Sequence, residues 1–301
     1  MAQRTASLVD NRGADWVGRL PAPAFFVTSA VFHYLGPSLA VLLFAQVGPL
    51  GVTWLRIAAA AAMFAAWRRP WRLLRGMPRD QRWVLLGLGL VLAAMNTAFY
   101  LALARLPLAT VGAIEFLGTV VVAAAGARTR RNLLALLLAV GGVVALTELR
   151  LVDEPWGFAL AFANCAGFVL YVVLGHRIAN TGTASWSGID RLGMAMIVAA
   201  VAISPFGLAD AASAFTHPLW MLWGVGVGVC SSVIPYVCDQ LAMARLPRAS
   251  FALMLALLPA VATAMGLLLL AQVPTWQDLL GIGLVIAGVA LHQRPDTNFK
   301  H

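Results

Sequence analysis

The chain has 301 residues, of which 61% are hydrophobic and only 11% are charged, and its mean hydropathy is +0.85. Soluble domains carry about 25% charged residues, so this chain lacks the charge needed to cover a surface that faces water. A soluble enzyme, a nucleic-acid-binding domain and a secreted disulfide scaffold are therefore excluded. At about 20 residues for each membrane-spanning helix, the chain is long enough for about ten spans.

Apolar runs bounded by charged or turn residues predict an all-α polytopic membrane protein with ten transmembrane helices. The predicted spans are 22–44, 48–67, 83–103, 108–127, 132–148, 156–178, 189–208, 219–239, 250–271 and 276–293. The polar segment 1–21 lacks the apolar core of a cleavable signal peptide and is predicted to be a cytoplasmic tail. Residues 294–301 are predicted to form a second cytoplasmic tail.

Arginine and lysine residues predict the orientation of the spans, because cytoplasmic loops carry an excess of them. With the N-terminus in the cytoplasm, only Arg105 and Arg150 fall in loops on the opposite side. The cytoplasmic loops and tail then receive Arg68, Arg69, Arg72, Arg75, Arg79, Arg82, Arg128, Arg130, Arg131, Arg177, Arg245, Arg248, Arg294 and Lys300. This alternation predicts an even number of spans with both termini on the cytoplasmic side of the inner membrane. The net charge of +9 thus reflects membrane topology, and no nucleic-acid partner is predicted.

The two halves of the chain share short motifs. Ala-Arg-Leu-Pro occurs at 104–107 and again at 244–247, and each half closes on a Gly-Val stretch, at 142–146 and 288–291. The motifs predict two five-helix repeats, 22–150 and 151–293. Because five is odd, the second repeat must be inverted in the membrane, and inverted repeats are typical of secondary transporters.

Glu115 is the most unusual residue within a predicted span, because ionisable groups at membrane depth are costly. It lies about eight residues into the fourth span, a depth of about 12 Å in a hydrocarbon core about 30 Å thick. The carboxylate is interpreted as a site for a proton or for the amine of a substrate. A buried ion pair that only fixes helix packing remains the alternative.

Arg56 lies at a similar depth in the second span, about 10 Å from its outer end. It could pair with Glu115, hold a substrate carboxylate, or extend to the outer interface. Asn96 and Tyr100 lie one turn apart on the third span, where they could orient a ligand or bond across helices. His33 on the first span could relay protons, but a packing role is the stronger interpretation.

The eighth span carries a polar stripe that includes Ser232, Tyr236 and Asp239. Pro235 interrupts this run and predicts a bend that could serve in gating. The stripe is interpreted as the cytoplasmic mouth of a substrate path. The alternative is an interfacial Asp239 paired with Arg245 or Arg248.

Several absences limit the chemistry. The chain has no GxxxxGK[ST], HExxH or GxSxG motif, and its cysteines (Cys165, Cys230 and Cys238) form no CxxC pair. These absences predict a protein that is not an enzyme, with no metal site and no cofactor. The predicted partners are a small-molecule substrate, protons and the lipid bilayer. A homodimer is left open.

Four stretches resemble the EamA branch of the drug/metabolite transporter superfamily, and within it the RhtA-type threonine and homoserine exporters. They are GVTWLR at 51–56, MNTAFY at 95–100, AIEFLG at 113–118 and PYVCDQLAMARLP at 235–247. The resemblance implies a central cavity lined by the third, fourth, eighth and ninth spans, and gated by the first, second, sixth and seventh. It places Asn96, Tyr100, Glu115, Tyr236 and Asp239 on helices that face the path.

The leading hypothesis is a proton-coupled secondary active transporter, an antiporter that exports small amino acids or related metabolites. Glu115 would carry the proton or the substrate amine, and Arg56 would hold a carboxylate. One alternative is a carrier of drugs or other metabolites with the same fold. Another is an uncoupled channel or a structural membrane subunit whose buried polar groups only hold helices together.

Overall fold

The computed structural model describes residues 22–126, 129–147, 154–181, 188–243 and 258–291, and within these ranges every regular element is a helix. The main helices are α1 (Ala22–Leu43), α2 (Pro49–Arg68), α3 (Arg79–Leu103), α4 (Leu108–Gly126), α5 (Arg130–Thr147), α6 (Pro155–Thr181), α7 (Gly188–Gly207), α8, α9 (Leu258–Leu270) and α10 (Trp276–Leu291). α8 consists of Pro218–Gly228, a π-helical turn Val229–Val233, and Ile234–Met243. A 3-10 helix, Pro70–Arg75, follows α2, and a short helix, Ala212–Thr216, precedes α8.

Each predicted span corresponds to one of these helices, with three ends that extend further by about a turn. α3 begins at Arg79, before the predicted start at residue 83, α6 continues to Thr181, beyond residue 178, and α8 continues to Met243, beyond residue 239. The added turns contain charged or amide side chains, so a search for apolar runs does not detect them. The predicted span 250–271 is described only from Leu258 onwards. Four described helices, α2, α3, α7 and α8, are long and apolar enough to cross a membrane.

Proline and backbone conformation explain several helix ends. α2, α6 and α8 begin at Pro49, Pro155 and Pro218, where the absence of an N–H costs no helical hydrogen bond. α2 ends because Arg69 adopts a left-handed conformation with φ of 50°. Pro70 follows directly and cannot continue an α-helix.

Side chains from the other half of the chain cap two helix N-termini. The Asp210 carboxylate accepts a hydrogen bond of 2.8 Å from the backbone N–H of Gly51, in the first turn of α2. The Gln272 side-chain oxygen accepts one of 3.1 Å from the N–H of Leu108, where α4 begins. Free N–H groups at a helix start need such partners, so these caps tie the two halves together.

The helices pack mainly in pairs that join the two halves of the chain. α5 packs on α10, α2 on α7, α3 on α6, and α1 on α8. α4 contacts α5, α6, α9 and α10. The carboxylate-bearing helix α4 is therefore surrounded by helices from both halves.

Glycines allow α5 and α10 to approach at backbone distance, and the contact is reciprocal. A Cβ atom on Gly142 of α5 would lie 2.5 Å from the carbonyl oxygen of Gly281, and one on Gly288 of α10 would lie 2.6 Å from that of Ala135. Any larger residue at either glycine would force the helices apart. Because residue numbers rise along α5 as they fall along α10, the two helices are antiparallel.

The outward face of α5 is apolar. Leu133, Leu137, Val140 and Val144 are all exposed, and their spacing places them on one side of the helix. A continuous apolar surface of this kind is unfavourable in contact with water. The stripe suits contact with lipid.

Candidate functional site

Glu115 lies on α4 with only 5% of its surface exposed. Its Oε1 atom accepts a hydrogen bond of 3.4 Å from the amide nitrogen of Asn164 on α6. Its Oε2 atom is buried and has no hydrogen-bond partner among the described residues, and the same holds for the Asn164 carbonyl oxygen. A buried acceptor without a partner costs about 1–3 kcal/mol. This pair therefore has hydrogen-bonding capacity that no described side chain satisfies.

Tyr34 of α1 places a third buried oxygen near this pair. Its hydroxyl has no hydrogen-bond partner within the described part of the chain. The hydroxyl oxygen would lie 3.0 Å from a Cβ atom on Gly112, one turn before Glu115 on the same face of α4. Tyr34 and Glu115 are also close enough to interact electrostatically. Tyr34, Glu115 and Asn164 are referred to below as the acceptor cluster.

Arg56 and Glu115 form no ion pair in this conformation. Among the described residues, ion pairs join Arg68 to Asp190 and Arg105 to Glu154. Arg56 still interacts electrostatically with Glu115, but at a longer distance than a direct contact. The carboxylate therefore has no counter-charge in contact with it among the described side chains.

Arg56 instead fastens α2 to the π-helical turn of α8. Its Nε atom donates to the Ser232 hydroxyl at 3.1 Å, and its Nη2 atom donates to the Ser231 carbonyl at 3.2 Å. The guanidinium carbon lies 5.1 Å from the centre of the Tyr100 ring, within the range of a cation–π interaction. The Tyr100 hydroxyl is 3.3 Å from the Ser231 hydroxyl. Arg56, Tyr100 and the two serines thus form one network.

Pro235 explains why this network forms on α8. Four residues before it, Ser231 has a carbonyl that would accept an N–H from residue 235 in a regular α-helix. Proline has no N–H to donate, and Arg56 supplies one instead. The sequence predicts a bend at Pro235, and the structure has a π-helical turn, Val229–Val233, that ends just before it.

The other predicted site residues take different surroundings. Asn96 is buried and donates to the Leu92 carbonyl of its own helix at 2.7 Å. His33 is half-buried and stacks edge-to-face on Tyr34. Tyr236 is half-buried and packs against the core formed by α2, α3 and α7. Asp239 lies on the helix Ile234–Met243, but its side chain lies outside the described residues, as do Arg245 and Arg248.

Comparison with known proteins identifies the family. A family model described as EamA-like transporter family matches residues 155–292. The chain is 34% identical over 224 residues to the threonine/homoserine exporter RhtA of Salmonella typhimurium, covering 73% of each protein. It is 33% identical over 273 residues to RhtA of Escherichia coli K12, covering 88% of this chain and 90% of that protein. The chain belongs to the EamA-like transporter family.

A solved crystal structure has the same fold as this EamA-like protein. The two superpose with a TM-score of 0.54 at 21% identity, over 90% of this chain and 95% of the other. The family match and the RhtA relatives confirm the predicted resemblance to EamA transporters, and together with the apolar helices they confirm a helical, multi-pass membrane protein. Family membership indicates a transporter of small molecules rather than an enzyme.

Two further contacts of this EamA-like transporter were not predicted from its sequence. The Nε and Nη2 atoms of Arg68, at the end of α2, donate to the Asp190 carboxylate at the start of α7, at 2.8 Å and 3.1 Å. Near the opposite ends of the same helices, Asp210, three residues beyond the end of α7, accepts the Gly51 N–H. The α2–α7 pair is therefore fastened at both ends. In the sequence, Asp190 stands out as an acidic residue in the first turn of a span, but its position does not indicate that Arg68 is its partner.

Proposed function

We propose that this EamA-like transporter is a proton-coupled secondary exporter of small amino acids, such as threonine and homoserine, or of related metabolites, in the cytoplasmic membrane. The named activity of its RhtA relatives supports this substrate class. The observation that carries the proposal is the buried Glu115 carboxylate, whose Oε2 atom has no partner among the described residues. An ionisable group inside a membrane-spanning helix is costly, and such groups commonly mark a substrate or proton pathway.

We also propose that ten spans form two inverted repeats, 22–150 and 151–293, between the cytoplasmic tails 1–21 and 294–301. The reciprocal contact of α5 and α10 supports this architecture, since Gly142 and Gly288 open the matching Gly-Val stretches of the two halves. Each glycine meets the backbone of the other helix, as expected for a two-fold relation. Helices that correspond in the two repeats and run antiparallel fit an inverted pair.

In this mechanism the two halves move against each other around a central site, which alternately opens to each side. Glu115 takes up the proton or the substrate amine, and Asn96 and Tyr100 line the path. Pro235 supplies the bend in α8 that serves gating, and Arg56 connects this part of α8 to α2. Tyr236, Asp239 and His33 complete the proposed pathway. A substrate drives the change only by binding one state more tightly than another.

The test is counterflow of labelled threonine or homoserine in proteoliposomes with an imposed pH gradient. We expect the pH gradient to increase the counterflow rate of the wild type. Glu115→Gln should lose this increase, because the amide cannot exchange a proton. Glu154→Gln is the matched control, since Glu154 is a partly exposed carboxylate outside the site. A Glu115→Gln variant that still responds fully to the gradient would remove Glu115 from coupling.

A further inference from the structure

The acceptor cluster contains three buried oxygen atoms on three helices. They are the Glu115 Oε2 atom, the Asn164 carbonyl oxygen and the Tyr34 hydroxyl oxygen, and each is buried without a hydrogen-bond partner among the described residues. Tyr34 and Asn164 have essentially no exposed surface. Such groups are rare in folded proteins, and each calls for an explanation.

The chemistry of these atoms selects the kind of ligand. The carboxylate and the amide oxygen are acceptors, and the tyrosine hydroxyl can also accept. The Asn164 nitrogen is already directed to Glu115, which leaves its carbonyl oxygen as the open group. The nearby Arg56 directs two of its nitrogens to Ser231 and Ser232. The cluster is therefore rich in acceptors, and its carboxyl group carries a negative charge when it is deprotonated.

We infer that Tyr34, Glu115 and Asn164 bind the primary ammonium group of the transported substrate. A primary ammonium has three N–H donors and one positive charge, which match three acceptor oxygens, one of them on a carboxylate. The inference rests on the proposed amino-acid export and adds Tyr34 and Asn164 as residues that recognise the substrate. Gly112 contributes by lacking a Cβ, which would lie 3.0 Å from the Tyr34 hydroxyl.

The test measures how competitors inhibit threonine counterflow in proteoliposomes. Homoserine carries the ammonium group, whereas 2,4-dihydroxybutanoate has a hydroxyl in its place. We expect Tyr34→Phe and Asn164→Ala each to raise the half-inhibiting concentration of homoserine about tenfold, which corresponds to one lost hydrogen bond to a charged group. The half-inhibiting concentration of 2,4-dihydroxybutanoate stays unchanged in both variants.

Two controls separate recognition from folding. Tyr171→Phe removes a hydroxyl from the same helix that carries Asn164 and is expected to leave both competitors unaffected. Because the Tyr34 hydroxyl has no described partner, Tyr34→Phe is expected to keep or raise the unfolding temperature. A fall in that temperature together with an equal loss for both competitors would indicate a structural role and overturn the inference.

Other results of these counterflow assays distinguish failure of the inference from failure of the proposed function. Unchanged inhibition by homoserine in both variants overturns the inference while leaving the proposed function intact. A wild type that carries no amino acid in any gradient defeats the proposed function, and the inference with it. Oxygen acceptors also suit a monovalent metal ion, so the assays are repeated with N-methylglucamine in place of sodium. Loss of homoserine inhibition in that arm would assign the cluster to sodium instead.

Discussion

Arg56 illustrates how one buried side chain can compensate for a break in another helix. Its two hydrogen bonds to Ser231 and Ser232 use the directional geometry of a guanidinium, which a lysine ammonium does not reproduce. We expect Arg56→Lys to lower the free energy of unfolding by about 1–3 kcal/mol, because the Ser231 carbonyl loses a donor. Thermal unfolding in detergent would measure this change.

Arg105→Lys is the control for that substitution. Arg105 is about half exposed and its Glu154 contact is 3.5 Å long, so we expect a change of less than about 1 kcal/mol. Equal losses in the two variants would mean that the geometry of the Arg56 network adds no stability. In that case a substrate carboxylate, rather than α8, would be the better candidate partner for Arg56.

The sequence predicts the depth of Glu115 but not its neighbours. Depth follows from counting residues along an apolar run, because a helix rises by about 1.5 Å per residue. The proximity of Tyr34 and Asn164 to Glu115 depends on how α1, α4 and α6 pack. Residue spacing within a single helix does not predict that packing. Arg56 and Glu115 could be predicted to share a height, whereas the preference of Arg56 for α8 depends on a carbonyl exposed by Pro235.

At the level of helices, α8 combines a proline with a π-helical turn. The sequence predicts that Pro235 disturbs the helix, since proline lacks the N–H and its ring clashes with the preceding turn. It does not predict that the disturbance takes the form of the turn Val229–Val233. In the structure this turn packs on α2, where Gly228 closely approaches the Arg56 backbone.

We expect Pro235→Ala to slow transport while keeping or raising the unfolding temperature. Alanine restores an N–H that can bond to the Ser231 carbonyl, so α8 becomes a more regular and stiffer helix. Counterflow rates should fall severalfold, and thermal unfolding in detergent should show no loss. Pro218→Ala, at the first residue of the same helix, should leave the rate unchanged because no helical bond is gained there. A rate unaffected by Pro235→Ala would exclude a gating role for this irregularity.

For the whole molecule, the two ends of the α2–α7 pair each carry a polar contact that joins the two halves. Arg68 and Asp190 meet at one end, and Asp210 caps α2 at the other. The sequence predicts that these ends lie on opposite sides of the membrane, because it fixes the order and polarity of the loops. The residue pairs that meet at these ends could not be predicted, because each pair joins residues far apart in the chain.

We expect Asp190→Asn and Asp210→Asn to shift the transporter in opposite directions. Each substitution weakens one fastening, so the site should open more often on that side. Asp190 is largely buried, but Arg68 is 37% exposed, which limits the effect to about 1 kcal/mol and the change in populations to about fivefold.

A single cysteine in place of the buried Ser38, with the native cysteines removed, would report opening through its labelling by an impermeant thiol reagent. Asp190→Asn should raise labelling only from the side of Asp190, and Asp210→Asn only from the other side. Asp80→Asn, an exposed carboxylate in the first turn of α3, should change neither, and equal increases from both sides would mean that these contacts stabilise the fold without controlling access.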